Sequence, residues 1–181
     1  MSQLSVYADN RPGKAILKTS AFSEIKQSLG DAGILLERWA AKTRIDDATS
    51  NEAILEAYRH EIDKLVAERG YQSVDVVSMH PQHPDKDAFR MKFLAEHTHS
   101  EDEVRFFVRG QGLFVIHKDG QVYSMLCEKD DLISVPANTK HWFDMGPNPR
   151  FTAIRLFNNP EGWVANFTGD EIAKRFPLLD N

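Results

Sequence analysis

His97-Thr98-His99-Ser100-Glu101-Asp102-Glu103, running on through Val104–Val108 to Gly110-Gln111-Gly112, is the stretch whose reading decides the fold. Side chains alternate faces along an extended chain. His97, His99 and Glu103 share parity, so one extended backbone aims all three the same way. Two imidazoles and a carboxylate on one face match the ligand set of non-haem iron sites. Histidines enclosed in a barrel need partners for their ring nitrogens. A fourth ligand, His141, stands just past the turn Pro136-Ala137-Asn138-Thr139 and completes a set of three His and one Glu if the barrel brings it back.

C-terminal to this stretch, short apolar runs alternate with turn signals. The runs are Val104–Val108, Leu113–Ile116, Val122–Leu126, Leu132–Val135, His141–Met145 and Phe151–Phe157. The turns fall at 110–112, 118–120, 128–131, 136–138 and 146–149. Many short strands at this spacing predict an antiparallel sandwich or barrel. N-terminal to it the chain is mixed. Strands are expected at Leu4–Ala8, Ile34–Trp39 and Val74–Met79, and helices at Ser20–Leu29, Asn51–Arg69 and Pro84–Leu94, the last of which also reads as a strand because Phe89, Met91 and Phe93 alternate with Arg90 and Lys92. The helix Asn51–Arg69 has a cap at Ser50, a stripe of Ile54, Tyr58, Ile62 and Leu65, and a stop at Gly70. A short helix is expected near Asp170–Arg175. The architecture predicted is mainly β with flanking helices (α+β). It forms one domain over residues 1–181, with a helical flank to about residue 95, a barrel over about 96–160 and a short C-terminal helix.

The bulk numbers agree. A chain of 181 residues with 41% hydrophobic and 27% charged residues suits one soluble domain with a real core. A net charge of −5 argues against a nucleic-acid partner, which needs a basic footprint. One cysteine, Cys127, excludes an internal disulfide. Met1–Pro12 has no apolar run behind positive charge, so no signal peptide is expected. No run approaches the ~18 apolar residues of a membrane span. A cytoplasmic location is the expectation.

The spacing His97, His99, Glu103, Gly110, then Pro136, Asn138, His141, resembles the two motifs of the cupin superfamily, which implies a double-stranded β-helix, or jelly-roll, barrel. Asn138 stands where glycine is usual, and asparagine tolerates positive φ. Asp130 likewise replaces a glycine, and Met145 an asparagine. Longer stretches resemble the acireductone dioxygenase family: Glu96–Phe107, Asp131–Pro136, His141–Gly146, Arg155–Phe157 and Asn159–Trp163. The resemblance reaches back through Glu37–Trp39 and Asp63–Leu65 to Gly70-Tyr71.

That resemblance implies an enzyme of methionine salvage that oxidises acireductone, a methylthio-substituted enediol, with O2. It implies one Fe2+ or Ni2+ per chain, held by His97, His99, Glu103 and His141. The iron form is expected to give formate and 4-methylthio-2-oxobutanoate. The nickel form is expected to give carbon monoxide, formate and 3-(methylthio)propanoate. Arg105 is implied in forming the substrate dianion, Glu96 in metal incorporation and Asp102 in transmitting conformational change. From the residues alone, Glu96 and Asp102 read as exposed acids. Arg105 shares parity with Glu103 and points into the same cavity, where a guanidinium favours an anion. Arg155 is a second candidate anion contact, and Phe107, Phe143 and Trp163 are candidates for an apolar slot around the methylthio tail. The family leans towards a monomer. Rival readings are another cupin enzyme, such as a sugar-phosphate isomerase or a different small-molecule dioxygenase, and a non-catalytic ligand-binding cupin. Retention of four ligands weighs against the last.

Overall fold

A computed structural model describes residues 1–40, 44–159 and 164–180. In chain order the elements are β1 (Gln3–Ala8), β2 (Ala15–Thr19), α1 (Phe22–Asp31), β3 (Leu35–Arg38), α2 (Asn51–Ala57), α3 (Arg59–Arg69), β4 (Ser73–Met79) and α4 (Lys86–Leu94). There follow β5 (His97–Thr98), β6 (Glu103–Lys118), β7 (Gln121–Glu128), β8 (Asp131–Val135), β9 (Lys140–Asp144), β10 (Phe151–Phe157) and β11 (Asn166–Phe167). The C-terminal turn is a 3-10 helix, Ile172–Arg175, rather than an α-helix.

The barrel is two antiparallel sheets sharing β6. The second half of β6 lies between β7 and β9 in the row β11-β5-β9-β6-β7-β1-β2, and its first half lies between β8 and β10, with β3 and β4 outside them. This is the jelly-roll arrangement that the cupin resemblance implied. The run at Gly110-Gln111-Gly112 is a corner inside one strand, not a hairpin turn. Gly110 has φ 71°, and a Cβ there would lie 1.8 Å from the Arg150 carbonyl oxygen, so both dihedral and space demand glycine.

The register against β10 slips between Thr152 and Ala153, and the inward parity of β6 changes with it. Before the corner, Phe107 joins the inner core, while Val104, Phe106 and Val108 pack outward against Ile54, Tyr58, Ile62 and Leu65 of α2 and α3. Beyond it, Phe114 and Ile116 face inward, while Leu113 and Val115 pack outward on Trp142, Ile172 and Phe176.

The first half is less separate than its sequence suggested. β1–β4 all join the sheets, so the barrel is not confined to residues 96–160. β2 escaped the sequence reading because Ala15–Thr19 is a half-exposed edge with Ile16 in solvent. The helix expected over Asn51–Arg69 breaks at Tyr58, which has ψ 15° and whose buried ring packs edge-on against Phe106 at 4.6 Å. Ser50 does cap α2, accepting a hydrogen bond from the Ala53 amide, and Gly70 ends α3 in the left-handed conformation. In α4, Phe89 and Phe93 stack with centroids 6.0 Å apart, so the helical reading of that stretch holds. Arg90 of α4 forms a fork onto buried Asp144, at 2.7 and 3.0 Å. Asp144 also accepts from the Gly146 and Leu179 amides, so one carboxylate joins α4, β9 and the C-terminal segment.

Candidate metal centre

His97, His99, Glu103 and His141 are all buried, and one ligand atom from each lies within 4.8 Å of the others. His97 of β5 is paired directly with His141 of β9, and His141 with Ile116 of β6. Glu103 opens β6 opposite Val135. The parity argument therefore holds for His97 and His99 but not for Glu103. A bend at 100–101 separates β5 from β6, and the carboxylate arrives from a different sheet position. The turn geometry is made by two replaced glycines: Asn138 has φ 60° and Asp130 φ 76°. The Asn138 amide donates to the His99 carbonyl at 2.8 Å, which docks the His141 turn on the His97 strand.

Each imidazole is oriented from behind by a backbone carbonyl. Nδ1 of His97 faces Ala95 O at 2.7 Å, that of His99 faces Val164 O at 3.2 Å, and that of His141 faces Thr139 O at 2.8 Å. A carbonyl can only accept, so Nδ1 carries a proton in each ring. Nε2 of His97 and His99 keeps its lone pair for the centre, while Nε2 of His141 donates to Glu103 and would give up that proton to a bound ion. Nε2 of His141 lies 2.7 Å from Glu103 Oε2, and Nε2 of His99 3.5 Å from the same oxygen. Burial, aided by the like charge of His141, lowers His97 from 6.5 to about 4. Burial also lowers His99. Burial works against charge on His141, but the hydrogen bond and charge of Glu103 outweigh it and raise its pKa. Burial opposes ionisation of Glu103 too, yet Arg105 and His141 hold it well below the usual carboxylate range. Neutral imidazoles and an ionised carboxylate are what a divalent ion requires. Three nitrogens and one oxygen fit a first-row transition ion.

His97, His99 and Glu103 line a cavity of about 130 Å3, whose remaining wall is Lys92, Phe93, Arg105, Phe143, Arg155 and Ala165, with His141 behind them. Arg105 is buried and donates through Nη2 to Glu103 Oε1 at 3.0 Å, with its guanidinium 5.1 Å from the Phe143 ring centroid. Burial lowers its pKa, against the pull of Glu103. Arg155 stands opposite Arg105 on β10 and forks onto Asp75 at 2.8 and 2.6 Å. Phe143 lies in the wall. Phe107 does not: it packs in the barrel core between Phe114 and Phe151, so inward parity placed it in the core rather than at the cavity. Trp163 lies outside the described residues. Phe93 and Lys92 were missed because α4 reads as an ordinary amphipathic helix, and only docking through Arg90 and Asp144 turns its end into the site.

Glu96 is not exposed but 1% accessible. Its carboxylate accepts from His117 Nδ1 at 2.7 Å and from the Thr168 hydroxyl at 2.8 Å, and it does not line the cavity. The C-terminal segment covers it, a burial that no local pattern announces. Asp102 is half-buried and accepts from the Ala137 amide at 2.9 Å, tying the turn before β6 to the turn before β9.

Against known proteins, residues 3–165 match the ARD/ARD' family. The acireductone dioxygenase of Alcanivorax borkumensis is 58% identical over 178 residues, 98% of either chain. That of Pseudomonas fluorescens is 56% identical over 181 residues, the full length of both. A solved structure, an acireductone dioxygenase from Bacillus anthracis with a cadmium ion in its active center, is 32% identical with TM-score 0.80, covering 92% of this chain and 98% of that one. A family match over residues 3–165, with identity of this extent over the length of the chain, makes it a member of the ARD/ARD' family.

Proposed function

We propose that this chain oxidises acireductone with O2 in methionine salvage, at a divalent metal held by His97, His99, Glu103 and His141. The observation that carries this reading is a buried four-ligand cluster opening on a small cavity walled by two arginines. The ion supplies Lewis acidity and a template for the substrate's oxygens. Arg105 favours the ionised enediol, because a positive charge within ~4–6 Å lowers the pKa of an acid. It cannot serve as the base, since a guanidinium stays protonated at neutral pH. Arg155, aligned by Asp75, is the second anion contact. Phe143 and Phe93 offer the apolar wall for the methylthio tail and limit water at the reacting carbons.

Imidazole and carboxylate donors do not choose between iron and nickel. The ion loaded therefore selects the product: formate and 4-methylthio-2-oxobutanoate with Fe2+, or carbon monoxide, formate and 3-(methylthio)propanoate with Ni2+. The chain acts as a cytoplasmic, single-domain monomer with no nucleic-acid or membrane partner. Among the described residues, no helix is long and apolar enough to cross a membrane. The test is elemental analysis of the purified protein, then anaerobic addition of acireductone followed by O2. Metal near one ion per chain and O2-dependent loss of the enediol are expected. A metal-loaded protein inert to acireductone would reject the reading.

A further inference from the structure

The two oxygens of Glu103 face different partners. Oε2 is the one among the ligand nitrogens, 2.7 Å from His141 Nε2 and 3.5 Å from His99 Nε2. Oε1 is turned the other way, 3.0 Å from Arg105 Nη2. Arg105 is poorly placed to follow if Glu103 moves. It is buried, lies over the Phe143 ring at 5.1 Å, and sits beside Arg155, which is itself fixed by two bonds to Asp75. For Glu103 to chelate an ion through both oxygens, Oε1 would have to swing inward. That motion would break the buried ion pair between Oε1 and Arg105 Nη2, and breaking such a pair is disfavoured.

We propose that Arg105 is a positioning residue for the metal, as well as a contact for the substrate: by holding Oε1 it restricts Glu103 to one oxygen on the ion. Four protein donors on a six-coordinate ion would then leave two positions for the substrate, where a chelating Glu103 would leave one. The inference rests on the metal assignment above and not on the identity of the substrate. A purely structural ion pair would fix the strand without changing what the ion has available, and this difference is measurable.

The experiment is water-proton relaxation of the protein loaded with Mn2+, without substrate. The native protein should show about two exchangeable waters on the ion, and Arg105→Met about one, so the inner-sphere relaxivity should fall about twofold. In a Glu103→Gln background, at saturating Mn2+, the same Arg105→Met change should leave the number unaltered, because an amide offers one oxygen only. Infrared difference spectra of native protein carrying 13C-labelled glutamate supply a check that needs no variant. Wide splitting of the carboxylate stretches on metal loading supports single-oxygen ligation. Equal relaxivity in native and Arg105→Met protein, failure of Arg105→Met to hold Mn2+, or narrow splitting in the native protein would overturn the proposal. Failure of the native protein to bind Mn2+ would instead count against the metal site itself.

Discussion

Histidines that meet at one centre here differ in how readily they hold a proton. His97 is lowered to about 4 because it is buried, whereas unfolded it titrates at 6.5. The folded state therefore binds fewer protons than the unfolded state between those values. Its contribution to stability is fully present above 6.5 and is lost as pH falls towards 4, at most about 3 kcal/mol. His141, raised by Glu103, works in the opposite sense: its contribution is present below 6.5 and lost as pH rises through its folded value. Urea unfolding of metal-free protein should show stability falling between pH 6.5 and 5, and falling less in His97→Gln. An equal fall in both proteins would remove His97 as the cause. His99→Ala should lose most bound metal while its circular dichroism stays native, because the backbone that positions it is anchored separately through the Asn138 amide. Full metal retention by elemental analysis would take His99 out of the ligand set. Arg105→Ala should keep metal near the native level and lose turnover by roughly 100-fold or more. Anaerobic optical titration should show the substrate dianion appearing only at higher pH. A dianion at unchanged pH would leave Arg105 without that role.

At the scale of elements, the strand that carries two of these residues is also the one that builds the barrel. β6 serves both sheets, and its corner depends on Gly110. Gly110→Ala combines a positive φ with a collision against the Arg150 carbonyl and should destabilise by roughly 3 kcal/mol. Gly120→Ala has a similar φ of 73° but open space around it, and should cost about 1 kcal/mol. Denaturant midpoints of the two variants make the comparison; equal losses would mean that dihedral strain alone matters at the corner. The fork between Arg90 and Asp144 sets where α4 presents Lys92 and Phe93 to the cavity. These elements were legible to different degrees. The helix stripe Ile54, Tyr58, Ile62, Leu65 was visible because burial on α2 and α3 follows helical spacing, yet the break at Tyr58 was not. A break made by the demands of a ring against Phe106 leaves no glycine or proline to mark it.

For the whole molecule, the metal should act as a bolt between three strand segments. Binding an ion to the folded state alone stabilises by about 4 kcal/mol at a thousand times its dissociation constant, or roughly 8–16 °C in a chain of this size. Calorimetry with and without chelator checks this, and an unchanged Tm would mean that the cluster holds no ion in the native protein. Reloading the metal-free protein with iron and with nickel should give different products from one substrate, and identical products would refute metal selection here. The sequence by itself determined the ligand types, the β-rich half and the turn positions other than the corner at 110–112. Those rest on short-range physics: donor chemistry, alternation along strands, and residues that tolerate positive φ, as Asn138 and Asp130 do. Tertiary structure alone decided that Glu103 meets His97 from another strand, that Phe107 turns into the core, and that Glu96 is buried beneath the C-terminal segment. Each of these depends on which distant segment packs against the residue, and side-chain period carries no information about that.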